Sequence, residues 1–210
     1  MVKECFDDVI QQQRQQGNAA EMLRTFPQGY IACQFSAEFG NDKTLDQLAH
    51  GLGRVCTETG LGVVLFRAGA APWHDRLEPY ERLKRRLPED SVRLFQSLHL
   101  WDVCALIAAS RAFCGSSLHG SIVAIAYGLP HVSLVPPQRF SHPGKVAAYL
   151  ETWEPEGRAR CFDTDDIGSE LARALAQPGR QQESLSQELA MRYRARQQQW
   201  ATMACESSRS

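Results

Sequence analysis

The stretch 62–66, GVVLF, is an unbroken apolar run, preceded by Gly60 and followed by an Arg-Ala-Gly-Ala-Ala-Pro segment. A strand with one wet face alternates apolar and polar residues, so a run without alternation suits a parallel strand covered on both faces. Parallel neighbours cannot be joined by a hairpin, and each needs a crossover, usually a helix. The rest of the chain has that rhythm. Residues 30–35 (YIACQF) form another short apolar run, ending in Ser36, Glu38, Gly40 and Asn41. Leu45, Leu48, Ala49, Leu52 and Val55 then recur at helical spacing until Gly60, with Asn41 or Asp42 placed to cap the helix. Residues 92–95, 112–114 and 131–135 read as further strands, and 75–87, 102–110 and 121–127 as helices, the last closed by Gly128 and Pro130.

Strands alternating with helices of this length predict the α/β class: a doubly wound, mostly parallel, Rossmann-like sheet. The expected division is a glutamine-rich N-terminal helix or linker over 1–28, anchored by Val9 and Ile10, a Rossmann-like donor-binding domain over 29–178, and a C-terminal helix and tail over 179–210. Two helices broken at Pro178 and Gly179 fill residues 164–200. A formal net charge of -1 argues against a nucleic-acid partner, which needs a broad basic field. The seven cysteines are odd in number, scattered, and without the close pairs of a zinc knuckle, which suits reduced, mostly buried thiols and predicts no metal. The N-terminus has no apolar signal segment, and no stretch approaches the roughly 18 apolar residues needed to span a bilayer. The expected location is cytoplasmic, with the inner membrane surface as the alternative.

An open parallel sheet binds ligands outside the carboxyl ends of its strands. Of the loops at that edge, residues 115–120 (GSSLHG) carry the most chemistry. Gly115 is expected to let the backbone turn tightly, Ser116 and Ser117 offer hydroxyls, and Gly120 with Ser121 is expected to open a helix whose first amides lack partners. Such a start attracts anions, and His119 adds a proton or a positive charge. The plainer alternative is that Ser116 or Ser117 caps the helix while His119 satisfies a backbone carbonyl.

The block 101–134, WDVCALIAASRAFCGSSLHGSIVAIAYGLPHVSL, resembles the C-terminal signature of the polysaccharide pyruvyltransferase family: a helix, a short strand, an Arg- or Ser-Leu-His-Gly turn, a small-residue helix, Gly-x-Pro and another strand. Lys145, in a Pro-Gly-Lys step, resembles the family's downstream lysine, and residues 161–175 resemble its closing strand and Asp-rich helix start. The resemblance implies one half of a glycosyltransferase-B-like fold, with the active site between two Rossmann-like halves. It also implies transfer of a pyruvyl group from phosphoenolpyruvate to sugar hydroxyls, forming a ketal in cell-surface polysaccharide synthesis. Phosphoenolpyruvate is then a donor substrate, and no cofactor is expected. His119 is the implied catalytic residue, as donor-binding group and acid. Gly115, Ser116, Ser117, Leu118, Gly120, Arg67 and Lys145 are the implied donor-binding set. The partners are a small-molecule donor and a sugar acceptor, with a homo-oligomer or a missing N-terminal half to complete the cleft. Many family members carry arginine where this chain has Ser117; Arg67, Arg139, His142 or Lys145 would then supply the charge from neighbouring loops. The alternatives are a nucleotide-sugar glycosyltransferase of the same architecture and a non-catalytic binding module.

Other residues have two readings each. His74 and Asp75 form an acid–base pair or cap a helix. Trp73 and Trp101 stack on a sugar or anchor packing. Glu38 is a base or a solvent-facing turn carboxylate. The arginines over 82–86 read as the wet face of an amphipathic helix. Leu185, Leu189 and Tyr193 place an apolar stripe on the last helix, against a partner domain or as an ordinary cap.

Overall fold

The computed structural model describes residues 2–135, 145–153, 161–177 and 179–207. Among them, six strands form one sheet: β1 (Tyr30–Gln34), β2 (Gly62–Phe66), β3 (Val92–Phe95), β4 (Ala112–Gly115), β5 (His131–Leu134) and β6 (Cys161–Phe162). The order is β3-β2-β1-β4-β5-β6, and every pairing is parallel. All five residues of β1 and of β2 are buried, as central strands without alternation require.

Successive side chains of β1 and β2 feed two separate cores. Ile31, Cys33, Val63 and Leu65 point to the face covered by α3 (Asp42–Thr59), α4 (Glu78–Lys84) and α8 (Ile167–Ala176). Tyr30, Ala32, Val64 and Phe66 point to the other, covered by α1 (Val2–Gln16), α2 (Asn18–Thr25), α5 (Leu100–Ala109) and α6 (Leu118–Ala126). On the first face α3 and α8 cross almost backbone to backbone. A Cβ on Gly51 would stand 2.4 Å from Ile167 Cγ2 and 2.9 Å from the Gly168 amide nitrogen, so no side chain fits there. On the second, the N-terminal helices are part of the layer: Ile10, Ala19 and Met22 are buried against the core, Asn18 donates to Asp102 Oδ2 at 2.6 Å, and Tyr127 donates to Asp7 at 2.9 Å. Val9, the other expected anchor, remains exposed.

The helix starts show local chemistry at work. Asn41 Oδ1 accepts the Thr44 amide at the start of α3, and Gly60, at φ +72°, closes its other end in the left-handed conformation that favours glycine. Helix α4 begins at Glu78, with Pro79 in its first turn, and not at Asp75, because Asp75 is engaged in the loop before it. Arg82 reaches Asp42 at 2.6 Å, Glu78 at 3.0 Å and the Gly40 carbonyl at 2.8 Å, while Arg86 reaches Asp46 at 2.7 Å. Arg82 in α4 and Arg86 just after it therefore bridge to the first two turns of α3 at the surface, while Arg85 stays exposed, so the expected wet face is present and laced with ion pairs. At the far end, α9 (Gly179–Ser207) buries Leu185 against Ile125 of α6 and against Val146 and Leu150 of α7 (Lys145–Trp153), and Ser186 Oγ donates to the Ala126 carbonyl at 2.6 Å. Among the described residues, no helix is long and apolar enough to cross a membrane.

Candidate functional site

From β1 the chain winds outward to β3, then returns to the opposite side of β1 as β4. At that reversal the loops after β1 and β4 lead to helices on opposite faces of the sheet, α3 and α6, and this is the place where open α/β sheets bind ligands. The 115–120 segment is the β4 loop, so the strand order puts it at the switch point.

The two loops are stitched together. Ser116 N donates to the Gln34 carbonyl at 3.2 Å, and Ser36 N donates to Ser116 Oγ at 3.1 Å. Ser117 is the N-cap of α6, its Oγ accepting the Gly120 amide at 3.2 Å, and Ser121 N returns to the Ser117 carbonyl at 3.0 Å. The helix thus starts at Leu118, three residues before the expected 121, because a serine with extended backbone captures the amide that would otherwise be left over. His119 and Gly120 lie inside the first turn. The amides of Leu118 and His119 have no partner among the described residues, and the His119 side chain is exposed. Each serine Oγ accepts a backbone N–H, which leaves its own O–H hydrogen to donate.

Both glycines serve close packing. Gly115 is not in the positive-φ region, contrary to a tight-turn role; it ends β4, where a Cβ would meet the Gln34 carbonyl at 2.4 Å and Phe113 Cζ at 2.9 Å. A Cβ on Gly120 would meet Phe113 Cζ at 2.5 Å. Beside Gly115 sits a feature the sequence reading passed over. Gln34 is 1% exposed, and its Oε1 has no hydrogen-bond partner among the described residues. Its signal was a lone amide closing an otherwise apolar strand.

The remaining candidates fall in different places. Arg67 follows β2 directly, half-buried, with Nη1 3.4 Å from the Asp75 carbonyl. Lys145 is the exposed first residue of α7. Arg139 and His142 lie outside the described residues. Glu38 is exposed in a single 3-10 turn after β1. Trp101 is a packing residue, its ring 4.8 Å from that of Phe6. Cys33 and Cys114 are register partners in the sheet and fully buried, and burial pushes the Cys114 thiol well up, which suits a structural, unreactive sulfur. No group of three or more metal-ligating side chains gathers among the described residues.

A model of the family described as polysaccharide pyruvyl transferase matches residues 9–136, more than half of the chain and inclusive of both stitched loops. The chain belongs to that family. No curated protein sequence matches this pyruvyl transferase family member. Its fold recurs in solved structures at low identity. The C-terminal CMP-Kdo binding domain of WaaA from Acinetobacter baumannii is 11% identical with a TM-score of 0.54, covering 88% of this chain and 98% of that one. The trehalose 6-phosphate synthase of Burkholderia multivorans is 14% identical with a TM-score of 0.58, covering 90% and 45%. The UDP-GlcNAc 2-epimerase of Neisseria meningitidis, bound to UDP-GlcNAc, is 10% identical with a TM-score of 0.52, covering 86% and 45%. The chain thus spans under half the length of the latter two proteins. Its sheet has the glycosyltransferase-B type of Rossmann-like fold, within a family of polysaccharide-modifying transferases.

Proposed function

We propose that this chain forms the donor-binding half of an enzyme that moves a pyruvyl group from phosphoenolpyruvate onto sugar hydroxyls, forming a ketal during cell-surface polysaccharide synthesis. The observation that carries the reading is the Ser117-Leu118-His119-Gly120 helix start at the sheet's switch point, with two amides that have no partner among the described residues and two serine hydroxyls whose hydrogens are available to donate. Phosphoenolpyruvate presents a phosphate and a carboxylate, and a helix N-terminus favours such charge through its amides and its dipole. Arg67, from the neighbouring strand end, supplies the fixed positive charge that Ser117 does not. Lys145 contributes from the α7 side.

His119, exposed on the first turn, is placed to protonate the methylene carbon. The double-bond electrons then take up that proton, and the carbon bearing the phosphate becomes electrophilic toward a sugar hydroxyl. A second hydroxyl then bonds to that carbon as its bond to the phosphate oxygen breaks, the hydroxyl's proton leaves with the phosphate, and the ketal closes. The opposite wall of the cleft comes from a second nucleotide-fold half, from another copy or from another polypeptide. The reducing cytoplasm, or its membrane surface, suits the free thiols Cys33, Cys56, Cys104 and Cys114.

Replacing His119 by alanine is expected to lower kcat by roughly 10²–10⁴ with thermal unfolding unchanged. Near-normal turnover sinks its assignment. Donor identity is tested by protection against unfolding: saturating phosphoenolpyruvate should raise Tm and nucleotide sugars should not. The fold's likeness to a CMP-Kdo binding domain keeps the nucleotide-sugar donor as the second reading, and protection by a nucleotide alone would establish it in place of the first.

A further inference from the structure

The loop between β2 and α4 begins with Arg67 of the donor reading and carries, further along, a second group of chemically capable residues that the donor reading does not use, Trp73, His74 and Asp75. Trp73 is 81% exposed and has no ring or hydrogen-bond contact among the described residues, so it anchors no packing. His74 Nδ1 lies 2.8 Å from Asp75 Oδ1, and the His74 side chain is 53% exposed against 10% for Asp75. Asp75 is fixed in turn. Its Oδ2 accepts the Ala71 amide at 3.1 Å, and a Cβ on Gly69 would crowd that oxygen at 2.6 Å. Helix capping does not explain the pair, because α4 starts at Glu78 with no side-chain cap.

A buried carboxylate on one ring nitrogen holds that nitrogen as the N–H and leaves Nε2 with a lone pair. The same carboxylate stabilises the imidazolium once Nε2 takes a proton. Position joins this dyad to the donor turn. Ala37 N donates to the His74 carbonyl at 2.9 Å, while the preceding amide, Ser36 N, donates to Ser116 Oγ at 3.1 Å. Two consecutive amides of the β1 loop therefore bridge the donor turn on one side and the dyad loop on the other, along a single carboxyl edge.

We infer that Trp73, His74 and Asp75 form the acceptor side of this site: Trp73 is a platform for a sugar ring, His74 is the general base for its hydroxyl, and Asp75 positions His74. The O–H bond of the acceptor breaks as its oxygen bonds to the donor carbon, and the proton passes to His74 Nε2. The electron pair of the O–H bond becomes the new C–O bond. The inference rests on the pyruvyl-transfer reading only for which carbon is attacked; any donor that receives a sugar hydroxyl needs the same base.

Two measurements on the full chain test it. The first needs no donor: the indole N–H resonance of Trp73, assigned by its loss in Trp73→Phe, is followed during titration with methyl gluco-, galacto- and mannopyranosides. A saturable shift is expected with at least one, and no shift with any of them overturns the sugar platform. The second is kinetic. Trp73→Ala should raise the acceptor KM about five- to tenfold with the donor KM unmoved. His74→Ala should lower kcat roughly 10²–10⁴-fold and recover part of it with added imidazole. Asp75→Asn should lower kcat with both KM values held, whereas Asp75→Glu restores part of it. His74→Ala turnover within threefold of the parent, or a change confined to the donor KM, overturns the base assignment. If a nucleotide sugar protects the fold against unfolding and phosphoenolpyruvate does not, the donor reading fails by itself, and the same variants are then assayed with that nucleotide sugar.

Discussion

Gly120→Ala sets two effects against each other, and the structure decides the sign. Exchanging glycine for alanine within a helix is worth up to about 1 kcal/mol in favour of alanine. The new methyl would lie 2.5 Å from Phe113 Cζ and 2.8 Å from Cε2, where carbon atoms prefer about 3.5–4.0 Å. Relief requires the ring to retreat by about 1 Å in line with that preferred separation. Phe113 is fully buried, with the ring of Phe66 at 6.5 Å between centroids, so it has no free side to move toward. Overpacking costs about 1–3 kcal/mol, and a methyl this much too close to a buried ring belongs in the upper half of that range, about 2–3 kcal/mol, which outweighs the helix gain. The net loss of about 1–2 kcal/mol corresponds, for a domain of this size, to a Tm lower by about 2–8 °C. Gly53→Ala is the control. Its Cβ would sit 3.7 Å from Leu87 Cδ2, an ordinary contact inside α3, so the propensity gain should appear alone and raise Tm by about 1–4 °C. Differential scanning calorimetry of both variants reads the comparison directly. A Gly120→Ala protein as stable as its parent, with Gly53→Ala stabilised, would refute the claim that Phe113 is a rigid neighbour.

Ser117→Ala removes the α6 cap, which should cost about 1 kcal/mol in urea titration and raise the donor KM, because one hydroxyl leaves the turn. Stability without change would mean that another group receives the Gly120 amide. Tyr80→Phe strips Phe35 of partners for both its amide and its carbonyl, two buried groups bonded to the same hydroxyl. A loss of about 2 kcal/mol or more is expected from chemical denaturation. Burial raises the ionisation of Tyr30, Tyr80 and Tyr127 above the ordinary phenol value, so the fold favours their neutral forms. Their contribution is complete below pH ~10, the unfolded value, and falls as pH rises toward the higher folded values. Urea midpoints should therefore hold up to pH ~10 and drop above it, with a smaller drop in Tyr80→Phe; a flat profile above pH ~10 would exclude burial of these phenols.

Much of the sheet could be read from the sequence because buried parallel strands have no wet face to interrupt them: GVVLF and the run from Tyr30 each appear as a strand of that kind. Asn41 and Gly60 announced the ends of α3 for equally local reasons. The expected start of α6 at 121 came from taking 115–120 as a loop, whereas the plainer alternative, Ser117 as the cap, draws Leu118, His119 and Gly120 into the helix. The role of Gly115 was misread for a different reason. Tight turns leave a local signature, whereas its actual constraint is the carbonyl of Gln34 on a neighbouring strand far away in sequence. The Trp73-His74-Asp75 group stayed ambiguous because adjacency in sequence does not tell which carboxylate is buried. The ion pairs of Arg82 and Arg86 could not be read from the sequence, because only the fold brings Asp42 and Asp46 of α3 opposite them.

The amides of Ser36 and Ala37 lie outside any strand, where backbone hydrogens usually exchange with solvent quickly, yet each is held by an atom from a different loop. Slow deuterium uptake at this pair reports that both neighbouring loops are closed at once. Their exchange rates form a local gauge of the whole carboxyl edge, readable without substrate and sensitive to opening on either side.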